Sequence, residues 1–171
     1  MSQEKCLVSL ALSLHGDEQL DAAEEATSRV IDLVPGEGQQ FWICESHLAL
    51  GRISQTKGNN EEAVHHFEAA LGIASHFGWD DRIFWIHYSL AELFFREGRL
   101  DDAKTHFEHA KSHGNDSALN LGLAMELQTV FWYQERRLEE ARSGALRSVD
   151  VYEKLGVLGG MEAYKMLAQQ I

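Results

Sequence analysis

Runs of polar and acidic residues, each giving way to an alanine, punctuate this chain at a nearly constant interval. "EQLDAAEEATSRV" starts at Glu18, "GNNEEAVHHFEAA" at Gly58, "EGRLDDAKTHFEHA" at Glu97 and "RRLEEARSGALRS" at Arg136. The marker alanines are Ala23, Ala63, Ala103 and Ala141, spaced by 40, 40 and 38 residues. Around each, the apolar positions predict a helix, a short turn and a second helix. A pattern that returns at this interval builds a stack of similar units rather than one irregular core. The expected fold is all-α, an α-solenoid of antiparallel helix pairs in a single domain spanning residues 1–171. Four repeats are expected over 4–38, 39–80, 81–116 and 117–157, with a capping helix over 160–171.

In the second unit, Ile43, Leu50, Gly51 and Ile53 fall close to helical period. Gly58 stops that helix, and Asn59 or Asn60 caps the next. Ala63, Phe67, Ala70 and Leu71 form the second helix's inward stripe. The third unit repeats the scheme with Leu90, Ala91, Phe94 and Gly98, then Ala103, Phe107 and Ala110. The fourth has Val130, Trp132, Ala141, Ala145 and Val149, with Arg136 where a glycine is expected. The first offers Leu7, Leu10, Ala11 and Leu14, then Ala23, Val30, Ile31 and Pro35. Small residues recur because two helices that cross closely leave no room for a long side chain at the contact. One irregularity stands out: "FWI" occurs at 41–43 and again at 84–86, an offset of 43. It predicts an extra turn at the start of the second unit's first helix.

The segment "MEAYKMLAQQI" places Met161, Tyr164, Leu167, Ala168 and Ile171 on one face, as expected of a helix lying over the last unit. The first repeat has no such cover. It caps itself, or continues in a longer chain, or pairs with a partner, and homo-oligomerisation through this repeat is among the expected partnerships.

The small, alanine, aromatic and alanine positions Gly51, Ala63, Phe67 and Ala70, and their counterparts Ala91, Ala103, Phe107 and Ala110, resemble the tetratricopeptide repeat. Ala11 and Pro35 fit the same pattern in the first unit. Departures are Thr27 and Ala145 in place of the aromatic, Thr129 in place of the small residue, and His47 and His87 where that family usually has tryptophan. The period exceeds the family's usual length of about 34 residues by roughly one and a half helical turns, so longer helices are expected. In this the chain resembles the long-repeat arrays of large regulatory proteins. "NLGLAMELQTVFWYQERRLEEARSGALRSVDVYEKLG" in particular is similar to segments of fungal nucleotide-binding receptor-like proteins.

The resemblance implies a right-handed superhelix whose first helices line a concave groove. Carried over, the groove positions are Glu45, Leu48, Arg52, Gln55 and Thr56 in the second unit. The third unit contributes Trp85, Tyr88, Glu92, Phe95 and Arg96, and the fourth Leu123, Glu126, Val130, Tyr133 and Gln134. Arg52, Trp85, Tyr88, Glu92, Phe95, Arg96, Glu126 and Tyr133 are the candidate partner-binding residues among them. An aromatic, partly charged groove suits a peptide or helix with apolar anchors and one or two acids. The family's clamp for chaperone C-terminal carboxylates is disfavoured, because Val8, Leu12 and Ala49 stand where its lysine and asparagines belong. The implied function is a non-catalytic scaffold that binds a protein or peptide, as part of a larger signalling assembly. The alternative is a small-ligand-sensing module, which would need a closed pocket walled by Trp85, Tyr88 and Tyr133.

Composition narrows the partner classes. Hydrophobic residues make up 44% and charged residues 25%, the balance of a folded chain rather than a disordered one. No apolar run approaches the roughly 18 residues that cross a bilayer, so no membrane partner is expected. The first residues lack a basic region and a small-residue cleavage site, and Cys6 and Cys44 form no metal or redox spacing. Both point to a reduced, cytoplasmic setting. Net charge is −12 with an isoelectric point near 5.1. No basic stripe for nucleic acid is visible. Many acids have a local reason: Glu61 and Glu62, Asp101 and Asp102, Glu139 and Glu140 each open a helix at the positive end of its dipole.

Motifs for chemistry are missing: no phosphate loop, nucleophile elbow or H-E-x-x-H occurs. Neither catalysis nor a cofactor is expected. Histidine is the unusual residue, with nine. His106, His109 and His113 share one helix face, and His66 sits in the register of His106 one repeat earlier, so stacking could bring these two together. Such imidazoles are weak candidates for a metal site or a proton sensor, set against plain exposure on the outer helices. His47 and His87 are expected between helices.

Overall fold

Four times among the described residues, a helical segment ends at a residue in the left-handed region and a new helix starts two positions later. A computed structural model describes residues 39–114 and 118–156, with single positions at 21, 25, 28, 29, 165, 166, 168 and 169. Its helices are α1 Gln39–Lys57, α2 Asn60–Phe77, α3 Asp80–Arg96, α4 Leu100–His113, α5 Ala118–Gln134 and α6 Leu138–Leu155. The fold is an all-α solenoid. The expectations for the first repeat and the capping helix fall outside the described residues.

The turn within each helix pair is the same device three times. Gly58 (φ 82°), Gly98 (φ 76°) and Arg136 (φ 60°) adopt the left-handed conformation just past α1, α3 and α5. The following amide reaches back to the carbonyl five residues earlier: Asn59 to Ser54 at 2.8 Å, Arg99 to Phe94 at 2.9 Å, Arg137 to Trp132 at 2.9 Å. Carbonyls that the ending helix would leave unpaired are satisfied this way. Asn59 sits at the helix start as expected, yet its side chain makes no capping bond. Its amide instead donates to Glu62. Paired acids in the first turns of α2, α4 and α6 face the positive end of each dipole.

Helices pack most extensively within the pairs α1/α2, α3/α4 and α5/α6. Gly51 of α1 lies directly under the Phe67 ring of α2, where an added Cβ would sit 2.6 Å from the ring. Ala91 and Phe107 hold the same places one repeat later, and both are buried. The third pair reverses the arrangement. Thr129 occupies the small position on α5 and is fully buried, its hydroxyl satisfied by the Met125 carbonyl at 2.7 Å. Gly144 of α6 makes room for it, since a Cβ there would collide with the Thr129 hydroxyl and lie 3.0 Å from Trp132. Substituting the aromatic by Ala145 is thereby explained: bulk has moved to the first helix of the pair.

Between pairs, α2 meets α3 and α4 meets α5, while α1 meets α3 and α3 meets α5. No Cα atoms of α2 and α4, or of α4 and α6, come within 8 Å. Helices α1, α3 and α5 therefore form an inner layer and the others a splayed outer one, which curves the stack around the inner layer. Phe131 joins the second and third pairs, with its ring 5.5 Å from Phe107 and 5.6 Å from Phe95. The extra turn expected from the "FWI" offset concerns the start of α1, where the preceding residues lie outside the described ones. Within the described residues the two triplets do different work. Phe41 packs on Trp79 at the junction of two pairs, at 5.5 Å, whereas Phe84 is fully buried.

Two stability measurements check this packing. Ala103→Leu, at a fully buried site, is expected to overpack the α3/α4 crossing and cost about 1–3 kcal/mol in denaturant unfolding. Lys104→Leu on the neighbouring surface should stay within about 0.5 kcal/mol of the parent, and the reverse order would refute the register. Arg136→Gly should raise stability by about 1 kcal/mol, because a side chain at φ 60° is strained where glycine is not; an unchanged or lower midpoint counts against that strain.

Candidate functional site

The inner layer presents its side chains to the concave side at helical spacing, so residues one turn apart on α1 and α3 meet across the seam between them. Two adjoining cavities lie there. One, of about 220 Å³, is bounded by Arg52, Gln55, Trp85, Tyr88, Glu92 and Arg96. Its neighbour, of about 160 Å³, is bounded by Glu45, Leu48, Arg52, Arg82 and Trp85. Arg52 and Trp85 border both, which makes the two cavities one continuous groove. The Trp85 indole is half-buried and edge-on to both Phe84 and Tyr88, with centroids 5.7 and 6.1 Å apart.

Of the residues proposed from sequence, the structure brings Arg52, Trp85, Tyr88, Glu92 and Arg96 together around this groove. Phe95 packs edge-on against Phe131 and belongs to the contact between pairs. Glu126 and Tyr133 lie on α5 and border neither cavity; Tyr133 is 47% exposed. Arg82 was not foreseen. Its signal was present as a three-residue step before Trp85 on the same face, but it belongs to the first turn of α3, ahead of the positions that the repeat pattern marks.

Charges in the groove are mostly paired. Glu45 holds Arg82 across the α1/α3 seam, with both side chains largely buried at 19% and 28% exposure. The Arg82 guanidinium also sits 5.1 Å from the centre of the Phe41 ring. Glu92 and Arg96 pair along one face of α3. Among the described residues, Arg52 makes no ion pair and the buried Gln55 side-chain nitrogen has no acceptor. Cys44, behind the groove, is a buried free thiol that donates to the Ala70 carbonyl at 3.5 Å. Burial, reinforced by Glu45 and opposed by Arg82, pushes its pKa up to about 11, so it is not a nucleophile at neutral pH.

Histidines gather on the opposite side of the inner helices. The Cα atoms of His66 and His106 lie more than 8 Å apart, on helices that do not meet. Each pairs within its own hairpin: His47 with His66, Nδ1 to Nδ1 at 3.1 Å, and His87 with His106 at 2.9 Å. His87 is only 8% exposed, as expected for a residue between helices. His109 stacks on it at 4.9 Å and His113 lies at 6.5 Å. Among the described residues, no three His, Cys, Asp or Glu side chains are arranged to hold a metal ion.

The comparisons with known proteins agree with the architecture. Residues 42–114 match the model of the tetratricopeptide repeat family. That span runs from the first turn of α1 to the end of α4 and includes every residue that borders the two cavities. The crystal structure of BtubC (BKLC) from P. vanneervenii is similar in fold, with a TM-score of 0.57 over 99% of this chain and 91% of that one, at 16% identity. No curated protein shows significant similarity to the sequence.

The Glu45–Arg82 pair gives a direct test of the seam. Glu45→Ala leaves a largely buried guanidinium without its partner and is expected to cost about 1–3 kcal/mol. Adding Arg82→Ala should recover part of that loss. Arg52→Ala, on an exposed and unpaired arginine, should change unfolding by less than about 0.5 kcal/mol. Equal costs for Glu45→Ala and Arg52→Ala would mean that the seam does not depend on this pair.

Proposed function

We propose that the chain is a non-catalytic interaction module, a single domain of four repeats whose α1/α3 groove binds an extended or helical peptide of a partner protein. The observation that carries this reading is the groove's residual chemistry. Glu45 and Glu92 already engage Arg82 and Arg96, while Arg52 borders the same cavity and makes no ion pair among the described residues. Arg52 offers donors for a carboxylate, and Trp85 and Tyr88 beside it offer an aromatic floor for an apolar anchor. The favoured ligand is a peptide that carries an acidic residue next to an apolar one. Tyr133 does not close over Trp85 and Tyr88, so the walled pocket needed for small-ligand sensing is not formed by the described residues. The family match supports a role in protein binding. A cytoplasmic setting within a larger signalling assembly fits this role, as does self-association through the first repeat.

Peptides selected by display against the whole chain provide the test. Arg52→Ala or Tyr88→Ala is expected to weaken a selected peptide by about 1–3 kcal/mol, read by calorimetry, with the melting temperature nearly unchanged. Arg142→Ala, exposed on the outer helix α6, should alter neither. Selected peptides that bind both groove variants as well as the parent would move recognition away from this groove.

A further inference from the structure

The paired histidines are not a single accident of packing. His47 and His87 stand 40 residues apart on α1 and α3, and His66 and His106 stand 40 apart on α2 and α4. Each pair bridges the two helices of its hairpin through facing Nδ1 atoms, at 3.1 and 2.9 Å. Such a contact requires one nitrogen to carry a proton and the other to offer a lone pair. Protonating the acceptor ring turns both nitrogens into donors, and an attraction becomes a repulsion between two N–H groups. We propose that the two pairs form a proton-operated latch, which holds the hairpins α1/α2 and α3/α4 closed at neutral pH and loosens both as the medium acidifies. The latch is independent of whether the groove binds a peptide.

Surroundings of the rings favour the neutral state. For His87, burial is the main cause, and the neighbouring His106, His109 and His113 of α4 add to it, bringing its pKa down to about 4. His47 is lowered by burial and then by His66 and His65 of α2. His106 is lowered by burial and by His109; Asp102 and Glu68 of α2 pull the other way, and Arg99 reinforces the lowering. The Arg99 guanidinium lies 4.1 Å from the Phe94 ring that packs beside His106, keeping a fixed cation near the pair. Rings that are depressed in the folded chain and ordinary in the unfolded one make the unfolded state bind protons first. The latch's contribution is therefore complete above about pH 6.5 and is lost as pH falls from there towards the folded value. Among the described residues, three or more ligating groups do not converge at either pair.

Urea unfolding of the full chain between pH 7.5 and 5.0, above most carboxylate titrations, reads the latch directly. The unfolding constant is expected to rise below pH 6.5 by up to about tenfold per pH unit for each buried imidazole, the slope for one extra proton taken up on unfolding. His47→Gln with His87→Gln should remove most of that rise, each single change removing part of it. A wild-type slope retained in the double variant overturns the proposal. Should the double variant fail to fold, the imidazole signals of the wild-type chain decide by nuclear magnetic resonance. His87 must remain neutral at pH 5.5 in the folded protein, and its protonation at or above pH 6.5 overturns the latch.

Discussion

The close crossing of two helices within each pair is the constraint on which the rest depends. At the first crossing the backbone at Gly51 touches the face of Phe67, and no larger residue fits between them. Burying a large ring against bare backbone removes much apolar surface from water without opening a void. The third pair meets the same demand with the bulk exchanged, Thr129 and Trp132 on one helix against Gly144 on the other. What is preserved is the summed volume at the contact, not the identity of either residue. Packing within pairs is more extensive than packing between them, and the contacts between pairs set the curvature of the stack.

Each block is closed by a turn whose geometry is local. A left-handed residue and the backbone bond that spans it reverse the chain between the paired helices. The residue that follows then takes part in packing. Arg99 and Arg137 lie over Phe94 and Trp132, rings in the last turn of the preceding helix, and both also reach an acid in the first turn of the next helix. One side chain thus links the end of one helix to the start of its partner. These exposed ion pairs are individually weak. Their placement matters more than their strength, because the arginine fills the corner between the two helices.

Curvature gives the two layers different chemistry. The inner helices approach each other, so their side chains meet across seams: the Glu45–Arg82 pair and the aromatic floor around Trp85 both arise there. Outer helices stand apart and carry many of the acids that make the chain strongly anionic. Three arginines therefore face a groove in a protein of net charge −12. Glu45 and Glu92 pair with two of them, so the groove is far less anionic than the surface around it.

Helix pairing, the turn positions and the buried stripe were legible in the sequence because each is governed by contacts within a few residues. Gly58 and Gly98 mark turns, the apolar positions mark faces, and acids mark helix starts. Even Arg136, which breaks the glycine rule, could be located by register. Most of the groove residues were legible too, since one face of one helix is a matter of spacing. Arg82 was not, as its role depends on Glu45 reaching it from another helix. The histidines show the limit most clearly. Spacing placed His66 and His106 in equivalent positions, and that equivalence is real, yet each pairs with a histidine 19 residues earlier, not with the other. Which partner is reached depends on whether successive outer helices touch. That is set by the volumes packed at every crossing along the stack, a sum over distant contacts that no local pattern records.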